Sequence, residues 1–543
     1  MILISAFLPL LALGDLAAGA RFPKGPLVGP PRTTRQDTKL ASAGELTRRA
    51  VQVEQFDQLI DHGNPSLGTF KQRYWWDTTY YAGPGHPIII YNAGEFNGEY
   101  ATTNTYVHNR SIPGMLASEV GGAVVIIEHR YFGESNPFSQ YTVANLSHLN
   151  LNNSIADMVN FARTAKLPFA QGNSSATDPS RVPWINIGSS YSGSLADWTQ
   201  RLDATRTFWA TYVSSSKVQL FDDFWMYFKP IELGMPKNCS ADVNRVIDHV
   251  DKILQTGSAK DKLDLKTKFG WAKLQYDDDF AEALSQGPYL WQSKDFSFGY
   301  MPFDLFCDYV ENAVSSAFPN ATAPGPDGVG LEKALEGYAK WMRDEYITKT
   351  CQSTPNSDEV VSCANTHDAN AAYYTYVDID PTSDYRQWQW MNCVWPLAGR
   401  LSGAPKGEPT ALKSRLVTPE YWARQCANYF PVPEGSKQLP GALTPTEANK
   451  VTKGGYTYAG QQRVLYVNNQ FDPWLYGTVS SPMRPGGPMQ STGDKTPVLV
   501  VPGGGHMSDF WKDNAEVNAE VEKLQNQAID IMVKWIREFK ILV

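Results

Sequence analysis

The sequence predicts an α/β fold in which the chain builds a parallel sheet, leaves it for a long helical insertion, and returns. Three observations carry that expectation. Short, β-branched, continuously apolar runs bounded by Gly or Pro recur early and late in the chain. A stretch of helical periodicity separates two of the early runs. All six cysteines, Cys239, Cys307, Cys351, Cys363, Cys393 and Cys426, fall in the part between early and late runs, which sets that part off as a unit of its own.

Composition limits the alternatives. Hydrophobic residues are 42% and charged residues 19% of 543 positions, with 42 Gly and 36 Pro. That makeup excludes disorder, collagen and coiled coil for the chain as a whole. The net charge of -8 is unevenly spread, because residues 21–50 hold seven basic and two acidic side chains. The remainder is more acidic still, so no basic field for nucleic acid exists there.

Taken in order, residues 2–14 form an apolar run ahead of Ala17-Ala18-Gly19-Ala20, which reads as a signal peptide over 1–20 although its start lacks Lys and Arg. Residues 21–50, Pro-rich and ending near the dibasic Arg48-Arg49, read as a pro-segment or linker. No later stretch offers about 20 uninterrupted apolar residues, so no membrane association is expected once the signal is removed. Glycosylation sequons stand at Asn109, Asn145, Asn152, Asn173, Asn238 and Asn320.

The runs 87–91, 123–127, 182–187 and 209–213 suit strands covered on both faces. Ile155, Met158, Val159, Ala162 and Ala165 recur at helical spacing behind Asn153, a possible N-cap, and predict a crossover helix. Segments near 241–255, 259–273, 279–285 and 331–347 predict helices of a cap. Strand runs return at 464–467 and 498–501, followed by a long C-terminal helix. The expected organisation is thus a first part of the sheet over 51–216, a cap over 217–440 and a second part over 441–543. The cysteines, even in number and clustered, predict a disulfide-stapled cap with fifteen possible pairings. A zinc site is disfavoured because no C-x2-C pair occurs, and no metal or other cofactor is expected.

Gly188-Ser189-Ser190-Tyr191-Ser192-Gly193 follows the strand at 182–187 and precedes a helix-like segment. A nucleophile on a sharp strand-to-helix turn needs small residues two before and two after it. Ser190 meets this with Gly188 and Ser192; Ser189 does not, and Ser192 sits further from the strand. A serine hydroxyl needs a histidine base oriented by a carboxylate. Asp472 follows the strand at 464–467, and His506, the one histidine after His367, follows the strand at 498–501. The order Ser, acid, His is that of an α/β-hydrolase sheet. An oxyanion would take the Tyr191 N–H and a second donor from Gly94-Glu95 or from 128–135.

Together Gln58-Leu59-Ile60-Asp61-His62, Thr69–Trp75, Glu128–Ser135, the hexad around Ser190, Phe471-Asp472-Pro473-Trp474 and Gly505-His506 resemble the serine peptidases that include lysosomal prolyl carboxypeptidase, dipeptidyl peptidase II and secreted acid proline-specific endopeptidases of fungi. The resemblance spans nearly all of 51–543. It implies an α/β-hydrolase core with a mostly helical, disulfide-bearing cap, Ser190 as nucleophile, Asp472 as orienting acid and His506 as base. Ser189 stands where that family usually has Gly. The family's preference for cleaving after proline calls for an aromatic, dry pocket, for which Trp388, Trp390, Met391, Trp395 and Trp474 are candidates, with Glu95 a further substrate contact and Tyr191 and Gly94 the oxyanion donors. The expected protein is a secreted serine peptidase acting on proline-containing peptides at acid pH, first as an endopeptidase and otherwise as a Pro-Xaa carboxypeptidase or dipeptidyl peptidase. A vacuolar or lysosome-like acidic compartment is the alternative to secretion. A capped esterase and a non-catalytic hydrolase-like binding protein are the rival readings.

Overall fold

The side chains of each apolar run alternate between two faces of one eight-stranded sheet. The computed structural model describes residues 51–540, apart from 103–105, 107, 171–173, 319–320, 322–323, 459, 492 and 494. The expected signal peptide and pro-segment, and the sequons at Asn173 and Asn320, lie outside the described residues. The strands are β1 (Gln52–Leu59), β2 (Thr69–Asp77), β3 (Ile88–Asn92), β4 (Ala123–Ile127), β5 (Trp184–Ser189), β6 (Ala210–Ser214), β7 (Val464–Asn469) and β8 (Val498–Val501). Their order is β1-β2-β4-β3-β5-β6-β7-β8. From β4 to β8 all pairs are parallel. β1 and β2 are antiparallel additions, so the sheet is mixed rather than wholly parallel. β1 lies at an edge with mostly exposed side chains, which is why its sequence carries no apolar run to read.

Ile88, Ile90, Val125, Ile127 and Trp184 pack on one face of the sheet, and Ile89, Val124, Ile126, Ile185 and Ile187 on the other. The helices used below are α1 (Ile112–Val120), α2 (Leu151–Thr164), α3 (Ser190–Leu202), α4 (Lys237–Thr256), α5 (Pro302–Val310), α6 (Leu331–Trp341), α7 (Tyr385–Val394), α8 (Pro419–Tyr429) and α9 (Ala519–Arg537). α2 covers the first face, and α1 and α9 cover the second. The N-cap of α2 is Asn150 rather than Asn153, since the Asn150 side chain accepts from the Asn153 N–H at 3.0 Å. The helix expected over 331–347 ends as α-helix at Trp341 and continues as a π-helix over Met342–Thr350.

The helices between β6 and β7 form the cap; α4, α5 and α6 share a core of their own, including Phe306, Tyr338 and Trp341, whereas Trp390, Met391 and Val394 of α7 and Tyr429 of α8 pack in the core on the first face of the sheet. Disulfides join Cys239 to Cys307, Cys351 to Cys363 and Cys393 to Cys426. The first ties α4 to α5 and the third ties α7 to α8. An eight-stranded, mostly parallel sheet with a disulfide-stapled helical cap inserted before its last two strands is an α/β-hydrolase architecture. Among the described residues no helix is long and apolar enough to cross a membrane.

One buried contact in the cap has a measurable consequence. Glu311, at the end of α5, faces Asp242 of α4, whose carboxylate accepts from the Val329 and Gly330 amides and from Arg245. Burial first, and then the Asp242 charge, push the Glu311 carboxyl up from 4.5 to about 8. The folded chain therefore holds that proton where the unfolded chain has released it, and the associated stability is lost as pH rises from 4.5 through 8. Glu311→Gln keeps the neutral shape. Its thermal midpoint is expected to exceed the parent's by roughly 2–5 °C at pH 8 and to match it near pH 4.5. Equal losses in both proteins between those pH values would assign the alkaline instability elsewhere.

Candidate active site

Strand β5 runs two residues past the apolar stretch that marked it, and delivers the chain to Ser190 at the first turn of α3. Ser190 has φ +55°, a left-handed conformation that costs a non-glycine residue of order 1 kcal/mol or more. Crowding explains the glycines around it. A Cβ on Gly188 would lie 2.3 Å from the Ser192 carbonyl oxygen, and one on Gly193 would lie 2.0 Å from Ser216 Oγ. The second small residue that the turn demands is thus Gly193, and Ser192 fits because its hydroxyl donates to the Asn92 carbonyl at 2.6 Å.

The structure brings together Ser190, His506 and Asp472. Ser190 Oγ lies 3.0 Å from His506 Nε2. His506 Nδ1 lies 3.0 and 3.1 Å from the two carboxylate oxygens of Asp472. A carboxylate only accepts, so Nδ1 carries the hydrogen and Nε2 is left to accept from the serine hydroxyl. Asp472 is fully buried and also accepts from the Trp474 N–H at 2.9 Å, which fixes its plane. The two loops are tied to each other by Phe471 N–H donating to the Gly504 carbonyl at 2.8 Å. The cap grips the acid loop through Trp291 Nε1–H, which donates to the Phe471 carbonyl at 2.8 Å.

Tyr191 N–H belongs to the first turn of α3, where amides have no intrahelical acceptor and the helix dipole is positive. Its side chain is anchored by His129. Burial lowers the His129 pKa to about 4, with the Arg130 charge adding to the effect, so the ring is neutral. His129 Nδ1–H donates to the Arg130 carbonyl at 2.9 Å, and Nε2 therefore accepts from Tyr191 Oη–H at 3.0 Å. Burial, with the charge of Glu95 second, holds the Tyr191 phenol well above its ordinary pKa, so it remains a donor.

Gly94 requires a correction. Its N–H donates to Asn92 Oδ1 at 2.8 Å and is already spent, although its positive φ of +72° and its approach to Ser192 explain why glycine stands there. Asn92 thus links the Gly94 turn to the start of α3, a role that sequence reading missed because one asparagine at a strand end carries no pattern.

The aromatic candidates divide. Trp388 is half-buried, and its ring meets that of Tyr191 edge-on at 5.5 Å. Trp390 is a correction: it is 0% exposed, spends its Nε1–H on the Leu149 carbonyl at 3.0 Å, and packs on Phe430 as core. Met391 and Trp395 lie in the same core and are 2% and 4% exposed. Trp474 stacks on Phe224 at 5.7 Å and donates to Gln292 at 3.1 Å, which leaves it 9% exposed. Glu95 is half-buried beside the Gly94 turn. Of the described sequons, Asn109 and Asn152 are exposed, whereas the Asn145 and Asn238 amides donate to the Gln140 carbonyl at 2.9 Å and to Glu311 at 3.3 Å.

The family described as serine carboxypeptidase S28 matches residues 58–528, most of the chain and all three of these side chains. The chain belongs to that family. It is a serine peptidase, and its relatives carry matching names. Serine protease vicPa of Bipolaris victoriae is 39% identical over 492 residues, covering 90% of this chain and 89% of the relative. A probable extracellular serine carboxypeptidase of Arthroderma benhamiae is 26% identical over 512 residues, covering 90% of this chain and 67% of the relative. The lysosomal Pro-X carboxypeptidase of Bos taurus is 21% identical over 557 residues, covering 98% of each.

Proposed function

We propose that this S28 peptidase is secreted and hydrolyses peptide bonds on the carboxyl side of proline through an acyl-enzyme on Ser190. The observation that carries the reading is the unbroken line from Ser190 Oγ through His506 to Asp472. In the first half-reaction Ser190 Oγ attacks the proline carbonyl carbon while its proton passes to His506 Nε2. Asp472 steadies the resulting imidazolium. Negative charge collects on the carbonyl oxygen, toward which Tyr191 N–H is the assigned donor. The C–N bond then breaks as His506 returns the proton to the leaving nitrogen, and the acyl group remains on Ser190. Water, deprotonated by His506, attacks that ester, and Ser190 leaves with the proton.

Specificity for proline draws support from the aromatic ring of Trp388 against Tyr191, since a compact apolar P1 ring gains most from a dry aromatic wall. The printed name of the bovine relative points the same way. Secretion draws support from six cysteines held in three disulfides, an arrangement favoured in oxidising compartments, and from the relative named extracellular. Action at acid pH fits Asp279, held up at about 6 by burial, and the Glu311 pair. Each loses stabilising free energy as pH rises through its folded pKa.

Mass spectrometry of products from a long peptide with internal and penultimate prolines tests the reading. Cuts after internal prolines, fastest at acid pH, are expected. Release of only the terminal residue beyond a penultimate proline would make the chain a carboxypeptidase, and cuts without regard to proline would overturn the specificity altogether.

A further inference from the structure

Two loops must hold their side chains to within a few tenths of an ångström for the line through His506 to exist, and both loops rest on one buried carboxylate. Asp509 is 0% exposed, three residues after His506. Its Oδ1 accepts from Ser214 Oγ–H at 2.8 Å and from Asn469 Nδ2–H at 2.8 Å, and its Oδ2 accepts from Tyr212 Oη–H at 2.9 Å. Tyr212 and Ser214 belong to β6, and Asn469 is the last residue of β7. Asn469 Nδ2 also donates to Ser215 Oγ at 2.8 Å, and Ser215 Oγ accepts from the Met507 N–H at 2.9 Å. Ser215 and Met507 both have positive φ, +50° and +61°, so the strained backbone beside His506 is pinned by this one hydroxyl. A Cβ on Gly504 would meet Asn469 Oδ1 at 2.5 Å, so the His506 loop also lies flush against the end of β7.

We infer that Asp509 is a positioning residue for the hydrolysis proposed above, acting through Asn469 and Ser215 to set the distance between His506 and Ser190. The inference rests on the assignment of Ser190 and His506 to the chemistry. Asp509 touches no reacting atom. It is the shared acceptor of three donors from two strands, and it stabilises the site only while all three are satisfied. Alanine at 509 strands those donors, frees Asn469 to turn, and lets Met507 relax toward ordinary φ, carrying the imidazole with it. A misplacement of about 1 Å costs on the order of 10²-fold in rate.

The test compares Asp509→Ala, Asp509→Asn and Ser215→Ala with the parent in the rate of fluorophosphonate labelling and in kcat and KM for a proline anilide. Parent labelling that Ser190→Ala abolishes shows first that the underlying assignment holds. Given that, Asp509→Ala is expected to lower kcat and the labelling rate about 10²-fold with KM within about twofold, and Asp509→Asn, which keeps Oδ1, to recover most of the loss. Ser215→Ala, which leaves the Met507 N–H without its acceptor, is expected to stay folded and to lower kcat about tenfold with KM within about twofold, and it decides the matter if Asp509→Ala does not fold. Parent-like kcat in Ser215→Ala, or a fall in thermal midpoint of Asp509→Ala without a fall in kcat, would overturn the inference.

Discussion

Ser190→Ala is expected to abolish covalent labelling by a fluorophosphonate and to lower kcat for a proline anilide by about 10⁶-fold, with little change in thermal midpoint. The effect is large because the hydroxyl is the only group on the line that forms a bond to the substrate. Once it is removed, His506 Nε2 has nothing to deprotonate at 3.0 Å. What rate survives comes from binding and from the Tyr191 amide, and in serine proteases of other folds that residue of catalysis is about 10³–10⁴ over water. Gly188, Ser192 and Gly193 are untouched by the change, so the turn keeps its packing. Intact-mass measurement after inhibitor treatment reads the result directly. A labelled Ser190→Ala protein would place the nucleophile elsewhere.

Asp472→Asn should leave the fold intact and lower kcat by about 10⁴-fold. Asp472 now accepts from His506 Nδ1–H and from the Trp474 N–H through the same oxygen, Oδ1. Asparagine has one acceptor oxygen. If it takes the Oδ1 place and stays with Trp474, its NH2 takes the Oδ2 place, 3.1 Å from His506 Nδ1, and donates toward the ring, which moves the imidazole hydrogen to Nε2 and removes the acceptor that Ser190 needs. A buried imidazolium formed during attack would also lose its counter-charge, in a place where Asp472 is 0% exposed and water cannot substitute. Kinetics with a proline anilide check the loss, and circular dichroism checks the fold. A variant that keeps a tenth or more of the parent rate would mean that Asp472 only orders its loop.

Much of this site was legible because each of its three side chains follows a strand that announces itself. The runs at 464–467 and 498–501 are apolar and β-branched, so the loops that follow them, with Asp472 and His506, had to lie at one end of the sheet. Gly188 was readable for the same steric reason that makes it necessary, whereas the second crowded position is Gly193 rather than the Ser192 that the sequence pointed to. The pairing of β1 and β2 was not readable, since β1 is an edge strand with exposed side chains and β2, though mostly buried, carries polar Lys71, Gln72 and Arg73 in place of an apolar run. Nor was the fate of the tryptophans. Trp388 and Trp390 stand two apart in one aromatic run, and helix geometry alone turns the first toward Tyr191 and the second toward Leu149.

By itself the sequence determined the parallel core, the helical cap and the three residues that meet at one end of the sheet, because those depend on local periodicity and on which residue types end a strand. Tertiary structure alone decided the three cysteine pairings, the loss of Gly94 as a donor to Asn92, and the Asp509 network. These depend on distances between atoms remote in the chain. A hydrogen bond fades within a few tenths of an ångström, and no pattern along a single chain encodes so short a length.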